Sequence, residues 1–473
     1  MVRNAGNLSA FFYLFQVHIS LILIFAKRHV LIPLPKEFVE RIIGDPFWSN
    51  EIIPALNSEP PVSIRLNPEK EKPEFDLIEQ VLWCQNGYYL DKRPLFTLDP
   101  LFHSGSYYPQ EAGSMFIEYL FNQLSISKKS CVLDLCAAPG GKSTLISSIL
   151  DEDGFLVCNE IIPNRNSILR ENLVKWGSAN VVVTGNLPNH FQRVPSLFDV
   201  ILLDAPCSGE GMFRKDIESR NEWSKSHVEM CASRQRQIVS DVWDSLKEDG
   251  YLIYSTCTLN QFENEGNVHW ILENLDAELV PLKISLPIIA GRENVGSYFV
   301  PGLTKSEGFY CAVLRKRVAS NKRIRFRPVL KRLKGDSFRR FEEFLDVSEL
   351  SLIEYKKGIS GFLGKHIELI EILNNNLNCT KIGVALGSIF PKKIEPNHEL
   401  AMSNLIAIDI NEIEVSKEEA LRYLKGDIFS IESESKGYQL VTFQKQRLGW
   451  INNLGNRFNN MYPNEWRIRM RID

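Results

Sequence analysis

The 473 residues are too many for one hydrophobic core and imply roughly two to four domains. With 55 Lys and Arg against 58 Asp and Glu the formal net charge is −3, so any nucleic-acid surface must be local rather than global. Nine cysteines without a Cys-x-x-Cys pair, and only eight histidines, argue against disulfide and zinc frameworks; no metal is expected, and free thiols suit the cytoplasm.

Residues 1–30 are a chemically odd opening. Leu8 to Ala26 carries no formal charge, Arg3 precedes it, and Lys27 and Arg28 follow. The length is marginal for a membrane helix, and no small-residue cleavage site follows, so a removable signal peptide is not expected. An anchor would hold the remainder in the cytoplasm because of the heavier basic flank. A soluble helix is the second reading. The favoured third is upstream sequence joined through a mis-called start codon.

Residues 31–116 read as a small α/β domain. It contains the short alternating strand Pro61-Val-Ser63-Ile-Arg65-Leu-Asn67 and ends in Gly105-Ser-Tyr-Tyr108-Pro-Gln110-Glu111-Ala-Gly-Ser114. Arg65 is either a surface charge or a phosphate or base contact near a cleft.

Residues 117–317 repeat strand and helix. The apolar run Cys131–Leu135 feeds the turn Cys136-Ala137-Ala138-Pro139-Gly140-Gly141-Lys142 and a helix to Leu150. A P-loop needs Gly-x-x-x-x-Gly-Lys-Ser/Thr, and Cys136 stands where the first Gly must be, so that reading fails. The alternative is the cofactor turn of an S-adenosylmethionine methyltransferase, whose ligand carries no phosphate and needs no phosphate cradle. Gly154–Asn159 is the second strand and ends in Glu160; an acid at that place, 20 or so residues past the turn, can bind ribose hydroxyls. Val181–Thr184 and Phe198–Asp204 are the third and fourth strands, the latter apolar through its middle as a buried parallel strand requires. A helix is expected over about Ser233–Lys247, stopped by Gly250. Tyr251–Tyr254 is the fifth strand, ending at Ser255-Thr256-Cys257, and Phe309–Leu314 closes the domain. Ligands in such sheets bind beyond the carboxyl ends of the strands, where Gly140, Glu160, Asp204 and Cys257 all fall.

Residues 318–379 are expected to be a basic linker and a small helical module. From Arg315 to Arg340 there are twelve Lys or Arg against one acid, Asp336. The run is either a solvated connector or, with Phe326 and Phe338 interleaved, a track for a nucleic-acid strand. From about Phe341 the chain turns rich in Glu and Leu. Residues 380–473 read as a separate α+β domain with β-barrel character, containing the helix Glu418–Lys425 ended by Gly426 and a hairpin of Gln439–Phe443 and Gln446–Trp450.

Two cysteines, Cys207 in Asp204-Ala-Pro-Cys207-Ser-Gly209 and Cys257, lie at adjacent strand ends. Most of the nine cysteines are small buried hydrophobes, but a thiolate over the cofactor crevice can attack an electrophilic carbon. Carbon 5 of a pyrimidine becomes nucleophilic enough to take a methyl group once a thiolate has added at carbon 6. Asp204 is placed to hydrogen-bond the base at nitrogen 3 and stabilise charge developing on the ring.

From Leu34 to its end the chain strongly resembles the RNA 5-methylcytosine methyltransferases of the Sun (Nol1/Nop2) family. Cys136–Lys142, Asp204–Gly209 and Ser255–Cys257 are similar to its three motifs, and Gln110-Glu111 and Ser63–Asn67 fit its pattern. Arg422–Gly426, Leu448–Trp450 and Asn460–Pro463 echo the bacterial ribosomal RNA subgroup. The resemblance implies a Rossmann-like domain that uses S-adenosyl-L-methionine, a small N-terminal α/β domain and a C-terminal, PUA-like RNA-binding domain. It assigns the attacking thiol to Cys257 and product release to Cys207, and binding of the cofactor ribose to Glu160. Asp204 is placed beside the cofactor methyl and target base, and Cys136, Ala137, Ala138, Pro139, Gly140, Gly141 and Lys142 form the cofactor turn. The adenine contact falls in Gly185-Asn186-Leu187-Pro188, at Asn186 or Leu187. Asn452, Asn459 and Asn464 stand where subgroup members carry lysines, which implies weaker phosphate affinity, offset in part by Arg457, Arg467, Arg469 and Arg471. The implied protein is a cytoplasmic, membrane-free, monomeric enzyme acting on RNA, chiefly ribosomal RNA of the small subunit. Its rivals are a transfer RNA target and a non-catalytic assembly factor.

Overall fold

The computed structural model describes residues 32–471 except 75, 407–409, 428 and 430–434. The apolar opening segment lies outside the described residues, and among those described no helix is long and apolar enough to cross a membrane. Helix α1 (Lys36–Gly44) buries Phe38 and Ile42 on one face. Phe38 packs edge-on against Phe213 and Trp223, centroids 5.0 and 6.2 Å away. Strands β1 (Val62–Leu66), β2 (Leu77–Gln80), β3 (Gly87–Leu90) and β4 (Tyr107–Pro109) form an antiparallel sheet ordered β2-β3-β1-β4. Alternation along β1 sends Ile64 and Leu66 into a small core with Leu90, Phe96, Leu101 and Tyr107. The polar face is buried too: Ser63, Arg65 and Asn67 are 8, 1 and 3% exposed.

The central sheet runs β11-β12-β13-β9-β8-β5-β6-β7-β16. Its parallel heart is β5 (Cys131–Asp134), β6 (Phe155–Asn159), β7 (Val181–Thr184), β8 (Phe198–Asp204) and β9 (Leu246–Thr256). Helices α2 (Gly141–Ile149), α3 (Pro163–Trp176), α4 (Lys225–Val242) and α5 (Glu265–Asn274) accompany them. The chain builds β5, β6 and β7 outward and then returns to the other side of β5 for β8. The β5/β8 boundary is therefore the topological switch point at which such sheets bind ligands. The helix expected at 233–247 is α4 instead, eight residues earlier at its start. Gly250 does not stop it but lies inside β9, where a β-carbon would meet Asp199 O at 2.9 Å. Strand β10 (Ala277–Leu279) pairs with β13 (Phe309–Lys316), and β11 (Ile289–Ala290) and β12 (Ser297–Phe299) extend the sheet beyond it.

The basic stretch after Lys316 has no helix before Asp336. Lys322 pairs with Asp244 at 2.5 Å, two residues before β9 begins, so the stretch crosses the amino-terminal edge of the sheet. The expected helical module is mainly a hairpin, β14 (Leu350–Tyr355) and β15 (Gly358–Leu363), followed by one helix, α6 (Ile367–Asn376). Glu- and Leu-rich composition masked the hairpin, whose inward residues Leu350, Leu352 and Ile353 alternate imperfectly. Strand β16 (Cys379–Ile382) then closes the far edge of the central sheet against β7. Strands β17 (Val384–Ile389) and β18 (Ile394–Pro396) return to the hairpin sheet. After helix α7 (His398–Met402) come β19 (Glu412–Glu414), α8 (Lys417–Lys425), β20 (Gly437–Phe443), β21 (Gln446–Asn453) and β22 (Phe458–Asn460), the last sheet. The expected 439–450 hairpin and the Gly426 stop of α8, at φ +84°, are both present.

An aromatic junction ties the three regions together. His398 meets the rings of Tyr462 and Trp466 edge-on at 5.2 and 5.0 Å. Tyr462 reaches His103 at 3.4 Å, and Lys175 lies 5.8 Å from the Trp466 ring centre. Burial, with Lys175 adding to it, pushes His398 down from 6.5 to about 3. Its folded state holds the neutral ring, so its contribution is complete above the unfolded value of 6.5 and is lost as pH falls below it. His398→Leu is therefore expected to gain on the parent as pH drops, by about 2 kcal/mol at about pH 5. Thermal melts of both proteins from about pH 8 to 5 check this; a constant difference between them would sink it.

Candidate active site

The N-terminal module is bolted to the cofactor turn. Arg65 Nε donates to Gln110 Oε1 at 2.8 Å and its Nη2 to Thr144 Oγ1 at 2.5 Å, and its guanidinium lies 4.4 Å over the Trp176 ring. Arg65 is thus neither a surface charge nor a base contact; it is a buried rivet between β1 and α2. Ser63 Oγ donates to Gln110 O at 2.6 Å, and Asn67 Nδ2 bridges Gly105 O and Trp176 O at 3.1 Å each. Glu111 accepts from Gly113 N, Ser114 N and Glu307 N at 2.8–2.9 Å, which fixes the loop before β13.

The turn itself follows β5. Gly140 sits at φ +117°, a conformation that disfavours any side chain, and starts α2. Lys142 Nζ binds Asp204 Oδ2 at 2.8 Å, while Ser255 Oγ donates to Asp204 Oδ1 at 3.0 Å. Burial alone would depress Lys142, but Asp204 outweighs it and holds the ammonium above its usual value. The Asp204 side chain keeps one third of its surface exposed, and each oxygen, with one partner, has lone-pair capacity to spare. Glu160 is 4% exposed; its Oε1 accepts from Ile162 N at 2.8 Å and its Oε2 faces Arg165 at 3.5 Å. Asn186 is spent on structure: its Oδ1 accepts from Asn378 N at 2.9 Å and its Nδ2 meets His190 Nδ1 at 3.0 Å. Leu187 is 47% exposed, with Ile161 and Ile162 similarly bared at 44 and 47%.

The two thiols converge. Cys207 Sγ and Cys257 Sγ are 3.1 Å apart, both half-buried and free. The contact with Cys257, reinforced by burial, pushes Cys207 well above an ordinary thiol, and either sulfur can be the donor in it.

Two buried carboxylates fasten the thiol loops, and sequence reasoning missed both. Glu263, 0% exposed, accepts from Ser208 N at 3.0 Å, from Ser208 Oγ, and from Gln235 Nε2 at 2.8 Å. Ser208 Oγ also meets Thr258 Oγ1 at 2.9 Å, so the residue after each cysteine touches its counterpart. Burial raises Glu263 from 4.5 to about 7. On the other flank Glu210, also 0% exposed, accepts from Arg41 Nη2, Trp223 Nε1 and Asn260 Nδ2 at 2.6, 2.9 and 3.1 Å. Arg41 comes from α1, and its Nη1 donates to Leu259 O at 3.2 Å. In sequence these acids stand among other polar residues and look solvated.

Residues 122–315 match the family described as 16S rRNA methyltransferase RsmB/F. Residues 34–112 match the N-terminal domain of 16S rRNA methyltransferase RsmF, and 410–468 the methyltransferase RsmF PUA domain. The chain is 32% identical over 414 residues to "Ribosomal RNA small subunit methyltransferase F" of Escherichia coli K12, covering 81% of this chain and 83% of that protein. The chain belongs to the RsmB/F family of RNA methyltransferases. A protein of the same description from Shigella boydii serotype 4 is 31% identical with the same coverage. In fold, the chain is similar to NSun6 from Pyrococcus horikoshii, with TM-score 0.52 and 22% identity over 60% of this chain and 99% of that one.

As an RsmB/F member the chain uses S-adenosyl-L-methionine, and its residues fit that group. Asp134 ends β5 at 1% exposure with Oδ2 held by Ser143 Oγ at 2.6 Å, while its Oδ1 has no partner among the described residues. Burial lifts it from 3.8 to about 7, which a cationic ligand group would reverse. Asp134 was not singled out in the sequence, where it reads as the polar end of a strand. Among the described residues no cluster of His, Cys, Asp and Glu is suited to a metal.

Proposed function

We propose that this enzyme methylates carbon 5 of cytosine in small-subunit ribosomal RNA through a covalent adduct at Cys257. The observation that carries this reading is the pair of thiols 3.1 Å apart beside the Lys142–Asp204 pair at the switch point. S-adenosyl-L-methionine, when bound, supplies an electrophilic methyl group. Glu160 and Asp134 would hold its ribose and its ammonium, and the backbone of Cys136–Gly141 would pass beside it. The Cys257 sulfur bonds carbon 6 of the base, which makes carbon 5 nucleophilic. Asp204, steadied by Lys142 and Ser255, bonds the ring and offsets the charge that develops there. Cys207 acts at release, where the carbon 5 proton passes to a base and the carbon 6–sulfur bond breaks to return the Cys257 thiolate. The modules at 31–116 and 380–473 are assigned to RNA holding, and the substrate places the enzyme in the cytoplasm.

Methyl transfer to bulk RNA, followed by bisulfite sequencing of RNA from cells with and without the gene, tests the reading. A lost cytosine signal in small-subunit RNA supports it; a signal lost only in transfer RNA moves the target, and no loss points to an assembly factor.

Glu160→Ala removes one charge-assisted hydrogen bond and is expected to weaken cofactor binding by about 1.5–3 kcal/mol, with RNA binding retained. Calorimetry with the cofactor decides; an unaltered affinity would put the ribose elsewhere. Neutralising Arg323, Arg325 and Arg327, all exposed, is expected to weaken RNA binding and flatten its salt dependence. Because the stretch crosses the sheet edge away from the thiols, turnover at saturating RNA should not change. An unchanged salt slope would make it a solvated connector.

A further inference from the structure

We propose that a pocket at the β16 edge of the central sheet binds a phosphate of the substrate RNA, an inference that takes RNA as the substrate from the reading above. The cavity has a volume of about 320 Å³, within the range of ligand sites. Arg170 of α3, Lys356 and Lys357 of the β14–β15 turn, and Lys381 and Thr380 of β16 line it. It exists only because β16 brings the hairpin module against α3.

Its charges do not balance. The one acid in the lining, Glu399, is engaged by Lys381 at 2.8 Å. No carboxylate lies within ion-pair distance of Arg170, Lys356 or Lys357 among the described residues. Arg170 Nε is shielded from water and has no hydrogen-bond partner there. An N–H of a cation left so costs free energy unless an acceptor arrives. Lys356, though exposed, donates a hydrogen bond to Thr380 O and is held below its usual value by burial and then by Arg170 facing it. Lys331, Lys365 and Lys393 of the same module are each paired with an acid. Cations packed together against one cavity, in a chain whose formal charge is −3, mark a place that an anion completes.

Position favours an RNA phosphate. Thr380 Oγ1 donates to Asn166 Oδ1 at 3.0 Å, and Asn166 Nδ2 donates to Glu160 O at 2.9 Å. The pocket wall is thus two hydrogen bonds from the carboxyl end of β6, on the rim that carries the thiols. A strand whose cytosine enters the crevice carries phosphates along that rim. A guanidinium with free N–H groups matches phosphate oxygens in pairs.

The test is RNA binding by the full chain across a range of salt, with Lys357→Gln and with Arg170→Gln/Lys357→Gln. Losing one phosphate contact on single-stranded RNA lowers the log–log salt slope by about 0.7, or about fivefold in affinity over a tenfold salt range. Cofactor affinity and turnover at saturating RNA should hold. Lys357 is exposed, so its single variant keeps the question open to measurement if the double variant melts early. A parental slope in a folded variant overturns the proposal. Thermal shifts with inorganic phosphate separate the sources: if phosphate stabilises the parent but not the variant while RNA binding is unaltered, the pocket takes a free anion and the RNA assignment falls. If the parent itself binds no RNA, the underlying reading fails with it, whereas a changed adduct chemistry with an intact slope effect leaves this site standing.

Discussion

Cys257→Ala is expected to abolish methyl transfer and any covalent protein–RNA adduct, a loss of roughly four orders of magnitude or more. The reason lies in the inequality of two neighbouring sulfurs. Cys207 is pushed well above an ordinary thiol by its contact with Cys257 and by burial, which favours its thiol over the nucleophilic thiolate. Cys257 opens the loop that follows β9, one residue past the strand. Ser255, two residues before it, steadies Asp204 at 3.0 Å, so in the proposed mechanism attack and ring stabilisation come from one strand end.

Cys207→Ala should behave differently. Addition and methyl transfer remain possible, but release is blocked, so an adduct that survives denaturing electrophoresis should accumulate. The double variant should form none, because the adduct needs Cys257. Labelled RNA and cofactor with both single variants and the double variant decide. An adduct in Cys257→Ala that vanishes in Cys207→Ala reverses the roles; full activity in both single variants removes the covalent mechanism.

The strand ends proposed to carry this chemistry were legible because buried parallel strands have a plain signature. Val181–Thr184 is an apolar run closed by a polar residue and Phe198–Asp204 is apolar through its middle, and the structure keeps both ranges. Arg65 was not legible. Its alternating neighbours describe a strand with one wet face, and nothing local says that α2 covers that face. Gly250 misled for a related reason: a glycine after an amphipathic stretch signals a helix stop, while here Asp199 O simply leaves no room for a side chain in β9. Partners far along the chain leave no local trace, and Arg41 beneath Glu210 is such a case, 169 positions apart. Asn186 shows the converse. Its amide suits an adenine, yet Asn378 from the far module has already claimed it.

The second large effect concerns Glu263, which touches no reacting atom yet sets where one thiol sits. Glu263→Ala orphans Ser208 N in a site closed to water and takes one of two partners from Ser208 Oγ and Gln235 Nε2, which keep Thr258 Oγ1 and Pro206 O. An orphaned buried N–H costs about 1–3 kcal/mol, so the loop carrying Cys207 has reason to move rather than stay. A shift of about 1 Å is enough to cost roughly a hundredfold in turnover. The Cys257 loop keeps its second fastening through Gly211 N to Cys257 O at 2.9 Å and Asn260 to Glu210, so addition should suffer less than release. Glu263→Ala is therefore expected to lower kcat about a hundredfold, with cofactor and RNA affinities near the parent's. The adducted fraction at steady state should also be larger. Glu263→Gln, which keeps the volume and one acceptor oxygen, should recover part of the rate. A merely structural role would lower the amount of folded enzyme without changing how the remainder divides between adduct and product. Measuring adduct and product together, below the melting temperature of each variant, separates the two, and a folded Glu263→Ala enzyme with parental kcat would show that the loops hold their spacing without it.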